Sequence, residues 1–140
     1  MSLEESVFVE LARTVDILSR APARLLKVQG LSPTQYNVLR ILRGAPEGLA
    51  CGELSGRMIT RDPDVTRLLD RLEKRGLISR SREQHDRRTV KTRITAAGLK
   101  LLTELDAPVH VLHRNQLGHL KREQLKGLSG LLRQAAGKLG

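Results

Sequence analysis

The hydrophobic period of this chain changes from helical to alternating at Gly76, and few folds accept that change where it falls. Val65, Leu68, Leu69 and Leu72 stand at i, i+3, i+4 and i+7, the stripe of an amphipathic helix. Asp62 and Pro63 ahead of them read as N-cap and first helical residue. Arg71, Lys74 and Arg75 complement the negative end of the helix dipole, and Gly76 takes the left-handed position after the C-cap. The pattern predicts a helix over 63–75. Beyond it Ile78, Arg80 and Arg82 alternate with serines, and Val90, Thr92 and Ile94 alternate with Lys91 and Arg93. With the polar stretch Glu83–Thr89 between them, they form a two-stranded hairpin with a charged tip. A shorter helix from Cys51 to Met58, with Leu54 and Met58 on one side, leads into the longer one through the turn Ile59, Thr60, Arg61. Two short helices, a tight turn and a basic hairpin make a winged helix-turn-helix.

The flanks are helical. Val7, Leu11, Val15 and Leu18 mark a helix from Leu3 to Val28, which Pro22 is expected to break or bend. Ser32 caps a second helix with Pro33 at its first position, and Tyr36, Val38, Leu39, Ile41 and Leu42 supply its apolar face before the loop Gly44–Gly48. Thr95 opens another helix, carrying Leu99, Leu101, Leu102, Leu105, Val109 and Leu112 across Pro108, where a kink is expected. A last helix runs from about Arg122 to Leu139 with Leu125, Leu128, Leu131, Leu132 and Ala135. The fold class is therefore mostly α with a small β-hairpin wing (α+β), in a single domain, 1–140, long enough to bury about two thirds of its unfolded surface.

Charge then narrows the function. Against 15 Asp+Glu stand 25 Lys+Arg, a net +10 with a pI near 10.8, so nucleic acid is the first candidate partner and an anionic membrane surface the second. No apolar run approaches the roughly 18 to 20 residues of a membrane span. Between Arg57 and Arg93 there are twelve Lys+Arg and six Asp+Glu, so most of the excess lies in the winged region. On its predicted helix, Val65, Leu68, Leu69 and Leu72 converge, and the opposite arc holds Pro63, Thr66, Arg67, Asp70, Arg71 and Lys74. Solvation alone would explain such an arc on an isolated helix, but the basic hairpin beside it favours DNA contact. A helix fits the major groove, and an arginine-tipped hairpin can enter the narrow minor groove. One Phe, one Tyr and no Trp exclude aromatic base-stacking platforms. No nucleophile elbow, phosphate-binding glycine loop, HExxH or CxxC is present, so neither an enzyme nor a cofactor is expected. The single cysteine, Cys51, forbids an intramolecular disulfide, and with no signal segment at the start a cytoplasmic location is expected.

The run Val65-Thr66-Arg67-Leu68-Leu69-Asp70-Arg71-Leu72-Glu73-Lys74-Arg75-Gly76-Leu77-Ile78, followed by Asp86-Arg87-Arg88 and Ile94-Thr95-Ala96-Ala97-Gly98, resembles the MarR (multiple antibiotic resistance regulator) family of bacterial transcription factors. The order of elements along the whole chain is also similar. The resemblance implies a homodimeric repressor of a pseudo-palindromic operator, with half-sites about 10 bp apart, released by a small, often anionic or phenolic ligand. It implies that 1–30 and 108–140 dimerise while 31–107 bind DNA. By resemblance, Arg61, Pro63, Asp64, Thr66 and Arg67 face bases and nearby phosphates, and Arg88 enters the minor groove with Asp86 orienting it. Arg82, Arg87 and Lys91 are implied phosphate contacts, which give affinity without sequence information. Asp62 and Asp64 depart from the family pattern, where hydroxyl residues are common. Asp62 is explained as a cap, and Asp64 would accept from a cytosine amine or pair with Arg67 or Arg61.

Candidate sensing residues carry weaker signals. Cys51 reads as a small buried apolar residue before it reads as a redox sensor. His110 and His113, three apart on one helix, could share a face as metal ligands do, with His119 and His85 further off, but no metal is expected without a Cys or carboxylate cluster beside them. Tyr36 reads as a core residue with its hydroxyl at the rim, or as the lining of an effector pocket. The rival functions are a nonspecific architectural DNA-binding protein and a redox or metal sensor on the same scaffold.

Overall fold

A computed structural model describes residues 1–137 and comprises six helices and one small sheet among them: α1 (Leu3–Val28), α2 (Pro33–Arg43), β1 (Leu49–Ala50), α3 (Cys51–Arg57), α4 (Val65–Lys74), β2 (Ile78–Arg82), β3 (Val90–Ile94), α5 (Ala96–Leu117) and α6 (Arg122–Gly137). Several ends follow from local chemistry. The Ser32 hydroxyl accepts from the Gln35 amide at 3.1 Å while the Gln35 side chain accepts from the Ser32 amide at 3.0 Å, a capping box with Pro33 at the first helical position. At the end of α4, Gly76 has φ 74°, its amide donates to the Glu73 carbonyl and the Leu77 amide donates to the Leu72 carbonyl. That pair of bonds is a Schellman motif, and it turns the chain from α4 to the wing.

The core lies under the winged region. Val38, Leu39 and Leu42 of α2, Leu54 of α3, Leu72 of α4 and Leu102 of α5 have no exposed surface, and Leu68, Leu69, Leu77, Ile78 and Leu105 close the cluster. The wing is a three-stranded antiparallel sheet of order β1-β3-β2, not the two strands the alternation predicts. Leu49 and Ala50 pair with Thr92 and Lys91, so a two-residue strand too short to show a period is defined by its partner. The hairpin itself has its expected bounds, with Ile78 opposite Ile94 and Arg82 opposite Val90. The wing meets α5 where Thr95 caps the Gly98 amide at 3.1 Å and donates its hydroxyl to the Gly76 carbonyl at 2.6 Å. A side chain on Gly98 would collide with the Leu77 carbonyl oxygen and the Ile94 side chain, which is why glycine stands in the first turn of α5.

Other expectations are corrected. Pro22 does not break its helix: α1 continues across the ring, and α5 likewise runs through Pro108. Proline at 22 removes the amide that would have bonded the Leu18 carbonyl four residues back. The Gln116 side-chain amide of α5 donates to that carbonyl at 3.1 Å instead, so a tertiary contact replaces the lost helical bond. The helix expected over 63–75 starts later, because the Asp64 carboxylate, not that of Asp62, caps it by accepting from the Arg67 amide at 3.0 Å. Asp62 instead accepts from the Asp64 amide at 2.8 Å, and this two-residue turn keeps Pro63 outside the helix. In α3 the last helical residue is Arg57, and Met58 is its C-cap, packed against the core. Leu139, the expected end of the last helix, lies outside the described residues.

Candidate nucleic-acid interface

Three segments place the predicted contact residues on the surface. Arg61 and Pro63 lie in the turn before α4, Asp64 caps it, and Thr66 and Arg67 occupy its first turn; all five are exposed. Both acidic residues spend oxygens on backbone amides, and Asp64 makes no ion pair with Arg61 or Arg67 among the described residues. The second segment is the wing tip, where Asp86, Arg87 and Arg88 are exposed. The Asp86 carboxylate accepts from the Arg88 amide at 3.1 Å and from the Thr89 hydroxyl at 3.0 Å, while the Glu83 amide donates to the Thr89 carbonyl. Asp86 therefore shapes the backbone of the tip at Arg88, and it makes no ion pair with the Arg88 guanidinium among the described residues. The third segment is the pair of strands beneath. Arg82 is exposed but turns one guanidinium nitrogen onto the Arg87 carbonyl at 2.7 Å, and Lys91 is half-buried on the central strand.

The basic residues divide into two sets. Arg80 bridges Asp70 at 2.5 Å and Glu73 at 2.8 Å, tying β2 to α4, and Arg93 bridges Glu83 at 3.1 Å. The hydrogen bond from Arg80 holds the Glu73 carboxyl below the usual carboxylate range. Arg75, read from sequence as a dipole partner within α4, instead donates to the Gln29 and Gly30 carbonyls at 3.1 and 2.8 Å, binding α4 to the end of α1. Arg61, Arg67, Arg87, Arg88 and Lys91 have no carboxylate partner among the described residues. The scaffold consumes its own inner cations and leaves the outer ones to solvent.

A cavity of about 380 Å³ lies between this region and the long helices, lined by Pro22, Leu26, Pro33, Tyr36, Asn37, Arg40, Ile59, Val109, Leu112 and His113. The Arg40 guanidinium sits 5.8 Å from the Tyr36 ring centroid, a cation–π distance in the lining of a mostly apolar space. Tyr36 is thus half-buried, packed on the core and lining the cavity at once. Cys51 is exposed, contrary to the burial expected of it: it is the first residue of α3, one position past the sheet. Among the described residues, no group of three His, Cys, Asp or Glu side chains is placed to hold a metal, and His110 and His113 are both exposed. No helix described is long and apolar enough to cross a membrane.

The profile of the MarR family matches residues 31–90, from just before α2 to the first residue of β3. The chain is also similar over nearly its full length to the MarR transcription factor from Planctomyces limnophilus, at 39% identity and TM-score 0.73, covering 96% of this chain and 98% of that one. This chain belongs to the MarR family. Among other solved structures, its fold is similar to S. aureus MepR in complex with DNA, with 19% identity, TM-score 0.80 and coverage of 99% and 100%. It is also similar to CouR from Rhodococcus jostii RHA1 bound to p-coumaroyl-CoA, with 24% identity, TM-score 0.83 and coverage of 97% and 95%. Family membership makes the chain a MarR family transcriptional regulator, with α3 and α4 as its helix-turn-helix and β1–β3 as its wing.

Proposed function

We propose that this MarR protein is a homodimeric repressor that reads a pseudo-palindromic operator and leaves it when a small ligand fills the cavity beneath α2. One observation carries the DNA half: among the described residues the arginines of the α4 start and the wing tip, Arg61, Arg67, Arg87 and Arg88, have no carboxylate partner, whereas Arg80 and Arg93 do. In this reading Arg61, Pro63, Asp64, Thr66 and Arg67 face the major groove, Arg88 the minor groove, and Arg82, Arg87 and Lys91 the phosphates. The crystallised complex of MepR with DNA supports it. The dimer half rests on uncovered apolar surface: Leu3, Phe8, Val15, Leu131 and Leu132 are all exposed, and α6 has no buried residue. Residues 1–30 and 108–140 would cover one another across a twofold axis, leaving 31–107 to bind DNA. Apolar walls with Arg40 and His113 at hand suit an aromatic or acyl ligand bearing a negative or phenolic group, and CouR holding p-coumaroyl-CoA is in keeping with that.

Selection of bound sequences from a random duplex pool tests this. The expected product is a palindrome with half-sites about 10 bp apart, bound about a thousandfold or more tighter than random duplex at physiological salt. Recovery of no preferred sequence would replace the operator reading with nonspecific, architectural binding, in which charge alone sets affinity.

A further inference from the structure

Among the described residues, the turn that joins the two motif helices makes one hydrogen bond to the body of the domain. The Ile59 amide donates to the Asn37 side-chain oxygen at 2.8 Å, and among the described residues no other backbone hydrogen bond ties 59–62 to another element. The ends of this bond differ in burial. Asn37 stands beside Val38 and Leu39 on α2, both without exposed surface, whereas Ile59 is 83% exposed. From Ile59 the chain runs directly through Arg61 to the Asp64 cap, so any shift of the turn moves the start of α4. We propose that Asn37 is a positioning residue for DNA reading: its carboxamide fixes the α3–α4 turn on the rigid α2 platform and so sets where Arg61, Pro63 and Asp64 meet the bases. The proposal rests on the DNA-reading function above. Asn37 and Ile59 also line the cavity, so a molecule seated there touches both ends of the bond.

Because Ile59 is open to solvent, its amide can bond water once the carboxamide is gone, and loss of the link releases the turn without opening the core. Asn37→Ala is therefore expected to leave the unfolding midpoint and random-duplex affinity unchanged. It should weaken binding to the selected operator about tenfold and accelerate amide exchange at Ile59 by at least tenfold. Asn37→Asp keeps an acceptor at the same reach and should restore both. Wild-type operator affinity in Asn37→Ala, or an equal loss in Asn37→Asp, overturns the positioning role. If the wild-type chain prefers no sequence, the operator reading fails by itself. Exchange at Ile59 then decides for Asn37, and an unchanged rate in Asn37→Ala counts against it.

Discussion

Arginine illustrates best how one residue type takes opposite roles within a few positions. Arg80 and Arg88 lie on the same hairpin, yet Arg80 faces Asp70 and Glu73 from β2 while Arg88 stands at the tip, where the nearest carboxylate is occupied by backbone and hydroxyl donors. A paired guanidinium has little left for a phosphate, whereas an unpaired one keeps its donors for DNA. Arg88→Ala is expected to weaken operator binding by about 1–3 kcal/mol and to relax preference at the bases under the wing. Arg87→Ala, by contrast, should weaken all duplexes alike and lower the salt slope by about one. Titrations of the operator and a random duplex at several salt concentrations separate the two. Equal behaviour of the two variants would mean that the tip reads no sequence.

At the scale of elements, two ion pairs hold the reading head together and give it a pH dependence. Arg43 grips Asp106 with both terminal nitrogens, at 2.9 and 3.1 Å, joining α2 to α5, and Arg80 joins β2 to α4. Their hydrogen bonds lower the carboxyl of Asp106 and that of Glu73 from the ordinary range. The folded chain thus binds fewer protons at these sites than the unfolded one. Their stabilisation is complete above the ordinary carboxylate range and is lost as pH falls through it towards the lowered folded values. Both carboxylates are partly exposed, so each pair contributes no more than about 1 kcal/mol. Urea unfolding across acid pH should show a decline that is shallower in Asp106→Asn and in Glu73→Gln, each already less stable at neutral pH. A slope identical to wild type would show that neither link matters to the fold.

For the molecule as a whole, the decisive feature is apolar surface that one chain does not cover. The outer half of α1 and Leu128, Leu131 and Leu132 of α6 have the periodicity of buried helices and yet face solvent. Leu131→Glu, at a position 66% exposed in the single chain, is expected to halve the sedimenting mass and with it abolish tight operator binding. A dimer of undiminished stability would move the interface off α6. Much of this architecture was readable beforehand, and for a common reason. The Ser32 capping box, the Gly76 turn, the hairpin from Ile78 to Ile94 and the Thr95–Gly98 junction depend on neighbours within a few positions, whose hydrogen bonds and dihedral limits are local. Other features depend on partners that no local pattern marks. Leu49–Ala50 is a strand only because Thr92 and Lys91 lie beside it, Pro22 is tolerated because Gln116 arrives from α5, and the Ile59 amide is held because Asn37 of α2 faces it. The sequence alone thus determined the elements, their order and the surplus of positive charge, since helix caps, periodicity and net charge are properties of short segments. Tertiary structure decided which arginines remain available to a partner and where the cavity and its link to the turn fall, because an ion pair or a cavity exists only once distant segments are packed together.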